Sequence, residues 1–177
     1  MILGCDISTS KCGIALLENE NNIVISDAIV FDSKFSLNQK AKQFHEYMNN
    51  ISVKYYNKIE SIIVEEPLFA VAFGSGAAWS TSLLQRFNGM TTYILYNIFD
   101  IEPELINPNK CRSLVGIKYN KGMTKKQKKD MVIEFIQNKF KEQFKTERTK
   151  FGNYKPTLDD KADALVLSLY GCYKKIK

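Results

Sequence analysis

The chain has 177 residues, 45% of them apolar, and its 25 Lys/Arg against 19 Asp/Glu give a net charge of +6. That length and apolar content suit one domain with a proper core and exclude wholesale disorder. No apolar run reaches the roughly 20 residues of a membrane helix.

The opening, Met1-Ile2-Leu3-Gly4-Cys5-Asp6, has no basic n-region and no small-residue cleavage site. It reads as a buried strand rather than a signal peptide, so a soluble, cytoplasmic protein is expected. Residues 2–8, 12–18 and 23–31 form three apolar, β-branched runs joined by short polar turns, an antiparallel meander. Ser36 with Gln39 fits a capping box that opens a helix to about Tyr56. Residues 59–64 give a fourth strand, whose end carries Glu65 and Glu66 before Pro67 stops it. Residues 67–77 are an apolar, glycine-containing loop. From Ala78 to Phe99 the pattern is helical, with Leu83, Phe87, Tyr93 or Ile94, and Ile98 near helical spacing. Residues 104–106 form a short strand, and Pro108 fits the first turn of a short helix. After a loop at 116–123, Thr124 and Gln127 form a second capping box, opening a basic helix to about Lys145. A polar stretch, 146–156, precedes a last helix capped by Thr157, with Leu158, Ala162, Leu165, Val166 and Leu169 as its apolar stripe. The order β-β-β-α-β-α-β-α-α-α predicts a mixed α/β domain spanning residues 1–177.

Cys5, Cys12, Cys111 and Cys172 form no C-x-x-C pair, and the chain has one histidine. These thiols read as reduced, buried small hydrophobes rather than zinc ligands. The lone histidine, His45, falls on the first helix and reads as non-catalytic.

The carboxylates are more informative. Asp6 interrupts an apolar strand and shares a face with Ile2, Gly4 and Ser8. Burying an isolated charge is expensive, so Asp6 needs a partner or a purpose. Glu65 ends the fourth strand and could meet Asp6 if the two strands are neighbours; Glu66 points to the opposite face and is the weaker ligand candidate. Asp160 and Asp163 lie three apart on the last helix and share a face, where like charges repel unless a cation sits between them. Asp159 and Asp160 also stand where a carboxylate favours the helix dipole, whereas Asp163 lacks that structural excuse. Hard oxygen donors with little histidine suit Mg²⁺, with Mn²⁺ able to substitute. Four carboxylates could hold two such ions roughly 4 Å apart, an arrangement suited to phosphodiester hydrolysis.

With these motifs in order, the chain resembles the RuvC-type Holliday junction resolvases of the ribonuclease H-like superfamily over nearly its whole length. ILGCDISTSKCGIALLE resembles the family's opening hairpin with its first aspartate, here Asp6. VEEPLF resembles the glutamate segment, here Glu65. LLQRFNGMTTYIL, LVGIKYNKGMTKKQKKDMV and DDKADALVLSLYG resemble three further family segments, the last giving Asp160 and Asp163. Departures are Asp6-Ile7-Ser8 where Asp-Pro-Gly is common, and Leu165-Val166-Leu167 where many members carry a histidine. They suggest a divergent, phage- or virus-like branch. The resemblance implies a ribonuclease H-like fold with a five-stranded mixed sheet, a homodimer, four-way DNA junctions as substrate and paired nicks that use two Mg²⁺ ions per site.

Positive charge is concentrated between Lys118 and Lys155, where 12 Lys/Arg and 4 Asp/Glu leave a net of +8. Lys118, Lys121, Lys125 and Lys126 flank a loop and a helix start, and both features favour phosphate. Lys125 matches the lysine of the family's K-x-Q element. Phe69 and Phe73, in the loop after Glu65, could wedge between bases, and Arg86 could touch DNA. A nuclease for RNA or RNA–DNA hybrids on the same fold is the main rival reading. An actin-like ATPase lacks its phosphate loop here, since no G-x-x-x-x-G-K-[ST] is present. An inactive DNA-binding descendant would not need all four acidic positions.

Overall fold

A computed structural model describes residues 1–67 and 75–176. The elements are β1 (Ile2–Ile7), β2 (Lys11–Asn19), β3 (Asn22–Val30), α1 (Leu37–Tyr55), β4 (Ser61–Glu65), α2 (Ser75–Phe99), β5 (Glu104–Ile106), α3 (Pro108–Val115), α4 (Lys125–Phe140) and α5 (Leu158–Ile176). They form one five-stranded sheet in the order β3-β2-β1-β4-β5. β1, β2 and β3 pair antiparallel, while β4 runs parallel to both β1 and β5. The expected meander and crossovers are therefore present.

The sheet separates two apolar layers. Leu3, Cys5 and Ile7 of β1, Ile14 and Leu16 of β2, and Ile62 and Val64 of β4 pack with Phe44 and Met48 of α1 and Phe87 and Leu95 of α2. The alternate residues Ile2, Ala15, Leu17 and Ile63 pack on the other side with α3, α4 and α5. Strand side chains alternate between faces, so Asp6, two residues beyond Gly4, belongs to the α5 side. Glu65, two beyond Ile63, belongs there too.

α5 lies directly on the sheet because small residues let it. A Cβ on Gly4 would overlap the Ala164 carbonyl and the Ser168 hydroxyl, and one on Gly13 would overlap the Asp160 carbonyl. Ser168, fully buried, donates its hydroxyl to the Ala15 carbonyl (3.1 Å), stitching helix to strand.

Both predicted capping boxes are formed, Ser36 with Gln39 and Thr124 with Gln127. Two local expectations fail. α4 stops at Phe140 rather than near Lys145; Lys141 takes a positive φ of 49°, and the following short turn brings Phe144 into the core beside Phe140. Thr157 has φ 77° and offers its backbone carbonyl to Lys161 N–H, with no hydroxyl cap among the described residues. An N-cap side chain reaches its target from extended backbone, which a left-handed residue does not have. All four cysteines are buried and free.

Candidate active site and nucleic-acid face

Sheet register brings the first two carboxylates together. Cys5 pairs with Val64 across the β1–β4 ladder, so Asp6 and Glu65 are the next neighbours along it. Asp6 also faces Gly13 across the hairpin. Because Gly13 lies under the Asp160 carbonyl, the first turn of α5 sits over this same spot. Asp163 follows one turn later. The four acidic residues singled out by sequence thus lie on one side of the sheet, toward the C-terminal ends of β1 and β4.

Their electrostatics record the crowding. Burial, and then the negative charges of Glu65, Asp163 and Asp160, push the Asp6 carboxyl well above the usual carboxylate range, with Arg112 opposing. Burial and Asp163 push Glu65 up to about 7, again against Arg112. Burial and Asp159 raise Asp160, while Lys11 pulls the other way. Carboxyl groups that destabilise each other in this way are a frequent mark of functional sites. Asp6 and Glu65 have no side-chain hydrogen bond or ion pair among the described residues.

The two helical aspartates are held by cations that sequence reading did not single out. Arg112 of α3 donates to Asp163 (2.8 Å), and Lys11 of β2 lies 2.6 Å from Asp160. Lys11 is five residues past Asp6 and, two before Gly13, on the same face, so hairpin register could have revealed it. Arg112 carries no such signal, because its nearness to Asp163 depends on α3 packing against α5. Asp159 pairs with Lys129 and lies 3.8 Å from Lys11. Burial raises its carboxyl, but those two lysines win and hold it below the usual range. Asp160 is thereby the better ligand candidate of the two.

Asn88 is a further positioning residue. It is buried on α2 and donates its side-chain amide to the Glu65 backbone carbonyl (3.2 Å), fastening the end of β4. The Glu66 N–H is meanwhile bonded to the Ile106 carbonyl (2.9 Å).

The donor set fits a hard divalent cation in chemistry: four carboxylates on one face, two of them without partners among the described residues. In arrangement, no three His, Cys, Asp or Glu side chains among the described residues stand close enough together to hold an ion. Asp160 and Asp163 are engaged with Lys11 and Arg112 instead.

Lys118, Lys121, Lys125 and Lys126 are all exposed, as is Arg86 on α2. The lysine segment approaches the acidic site through Tyr119. Burial raises this phenol; Arg112 opposes the rise, and Asp163 and Glu65 reinforce it. Lys128 lies over the Tyr119 ring, 5.5 Å from its centre. Phe69 and Phe73 lie outside the described residues. His45 meets Asn49 on α1, away from the carboxylates. Among the described residues, no helix is long and apolar enough to cross a membrane.

The sequence matches no protein-family model and no curated protein. Solved structures do match. The Thermus thermophilus RuvC protein in complex with a Holliday junction substrate superposes with a TM-score of 0.65 at 12% identity, over 99% of this chain and 94% of that one. A second Thermus thermophilus RuvC structure gives 0.63 at 12% identity, over 99% and 95%. The five-stranded mixed sheet with helices on both faces is the ribonuclease H-like fold, and it is structurally similar to RuvC from end to end.

Proposed function

We propose that the chain is a divalent-metal-dependent endonuclease, a single ribonuclease H-like domain that resolves four-way DNA junctions. The observation that carries this reading is the convergence of Asp6, Glu65, Asp160 and Asp163 beside an exposed lysine segment, on a fold shared with a protein solved on a Holliday junction. Asp6, Glu65, Asp160 and Asp163 are the residues that would hold Mg²⁺, two ions per site. When bound, the ions supply an activated water and stabilise the departing 3′ oxygen. Burial and mutual repulsion hold the Asp6 and Glu65 carboxyls above the usual range, and a bound cation would relieve that repulsion in place of the proton. Lys11 and Arg112 would exchange a carboxylate for phosphate, since both are cations at the mouth of the site. Lys118, Lys121, Lys125 and Lys126 would hold the DNA backbone, giving affinity without sequence preference.

Paired nicks require two sites, and α2 offers a surface for a second copy. Trp79, Ser82, Arg86, Gly89, Tyr93 and Tyr96 are exposed at alternating three- and four-residue steps along one helix face. This is the spacing of a helix–helix seam, and among the described residues nothing beyond the neighbouring backbone of α2 itself lies within 4 Å of a Cβ placed on Gly89. Two α2 helices meeting here would make a two-fold dimer.

The test is cleavage of a labelled four-way junction and of the matching linear duplex, with Mg²⁺, comparing wild type with Asp6→Asn. Symmetric nicks in the junction alone, absent in the variant, are expected. An intact junction with turnover of an RNA–DNA hybrid would move the function to the hybrid nuclease.

A further inference from the structure

Between α4 and α5 the chain makes a small antiparallel tongue that the acidic site does not explain. Arg148 pairs with Tyr154 as an isolated bridge. The Lys155 N–H donates to the Glu147 carbonyl (2.9 Å), Thr149 N–H to Asn153 (2.7 Å) and Gly152 N–H to Thr149 (2.9 Å). Gly152 takes φ 77°, the left-handed turn position that suits glycine. The Arg148 guanidinium stacks on the Tyr154 ring at 4.0 Å and donates to the Gly152 carbonyl (2.8 Å). Lys126 of α4 donates to Asn153 (2.7 Å), tying the tongue to the basic helix.

At the tip of this braced turn Phe151 is 79% exposed, more than any other aromatic side chain among the described residues. Burying a phenylalanine is worth about 1.5–3 kcal/mol, so its display on a rigid turn needs a reason. Its neighbours are cationic: Lys150 lies 5.0 Å from the ring centre, and Arg148 is three residues away. A groove of about 310 Å³ is lined by Asn153 and Lys155 of the tongue, by Lys126, Lys129 and Asp130 of α4, and by Lys11 and Asp159, next to the catalytic candidate Asp160; its four lysines outnumber its two carboxylates. Aromatic ring, flanking cations and a basic groove are the parts that bind single-stranded nucleic acid.

We propose that the tongue, residues 147–155, binds an unpaired stretch of nucleic acid, with Phe151 stacked on a base and Lys150, Lys126 and Lys129 on the adjoining phosphates. The groove would then deliver that strand toward the carboxylates. This rests on the nuclease reading only for what the strand is delivered to; the binding itself is separate. The backbone of the turn is held by its own hydrogen bonds, so less conformational freedom is lost on stacking than from an unbraced loop.

The experiment measures binding by the full-length Asp6→Asn protein, which leaves DNA uncut, to a labelled oligothymidylate and to a linear duplex of equal length. Phe151→Ala should weaken single-strand binding by roughly fivefold to a hundredfold. Duplex binding and the melting temperature should stay unchanged, and Phe151→Trp should restore binding. A strand carrying 5-iodouracil should photocrosslink to Phe151. Equal binding by Phe151→Ala, or equal loss for strand and duplex, overturns the proposal, as does a change in oligomeric state without a change in strand binding. If wild type cuts no junction but the single-strand effect holds, the resolvase reading fails and the tongue stands. The reverse result removes the tongue alone.

Discussion

Asp6 and Glu65 are placed where their charge is least welcome. With Glu65 pushed up to about 7, the folded chain keeps a proton that the unfolded chain releases near 4.5. The folded state then binds more protons across that interval, so its stability falls as pH rises from about 4.5 to 7. Asp6 acts in the same direction. In EDTA, Glu65→Gln should therefore melt higher than wild type at pH 7.5, by several degrees for a gain on the order of 1–3 kcal/mol. The advantage should shrink toward pH 5, while cleavage is lost at every pH; calorimetry across that range checks it, and a variant that melts lower at pH 7.5 would contradict the account. That Glu65 rather than Glu66 lies on the α5 face was legible from the period of two in β4, which it shares with Ile63. Arg112 was not legible: its pairing with Asp163 joins two helices 51 positions apart in the sequence and follows no periodic rule.

α5 is the element that turns separate carboxylates into a site. Its close seat depends on Gly4 and Gly13, and at Gly13 the opposing atom is backbone, which cannot rotate away. Gly13→Ala should push the N-terminal turn of α5 off the sheet, costing about 3 kcal/mol and lowering the melting temperature by roughly 6–12 °C. Because the displaced turn carries Asp160, cleavage of the four-way junction should fall further than the loss of folded protein explains. Measured at a temperature where the variant is still folded, full activity would sink this. The helix itself was readable from its apolar stripe, and its aspartates from their i, i+3 spacing. Its start at Leu158 was readable as well, but not the side chain at Thr157, where the backbone turns left-handed as the chain leaves the tongue. The end of α4 was missed for a related reason. Two buried phenylalanines, Phe140 and Phe144, are spaced for a continuing helix, yet the chain turns at Lys141 between them.

At the scale of the whole molecule, the antiparallel meander and the later crossovers followed from the run of elements, whereas the strand order and the split of the core into two layers came only with the structure. The outer seam of α2 was not legible either: the helical spacing left the stripe open between Tyr93 and Ile94, and the structure packs Ile94 against the core and leaves Tyr93 exposed, in line with Trp79 and Tyr96. Exposed aromatic side chains at seam spacing are good candidates for the centre of an interface. Tyr93→Glu should weaken self-association at least about tenfold, as followed by sedimentation over a concentration series, without lowering the melting temperature of the separated chain. A wild-type protein that sediments as a single chain at every concentration would remove the dimer.

The same helix has a second attachment on its other side. Arg86 and Asn88 are two residues apart on α2: one stands on the bare outer seam, and the other holds the backbone of Glu65. A packed helix moves as a stiff body, so whatever seats the outside also settles where β4 ends. If two copies meet along α2, the act of meeting steadies the end of β4, and with it the candidate ligand Glu65, in each of them. A stray single chain would then be a poor cutter of DNA, and the pairing of subunits would double as a safety catch against unpaired breaks.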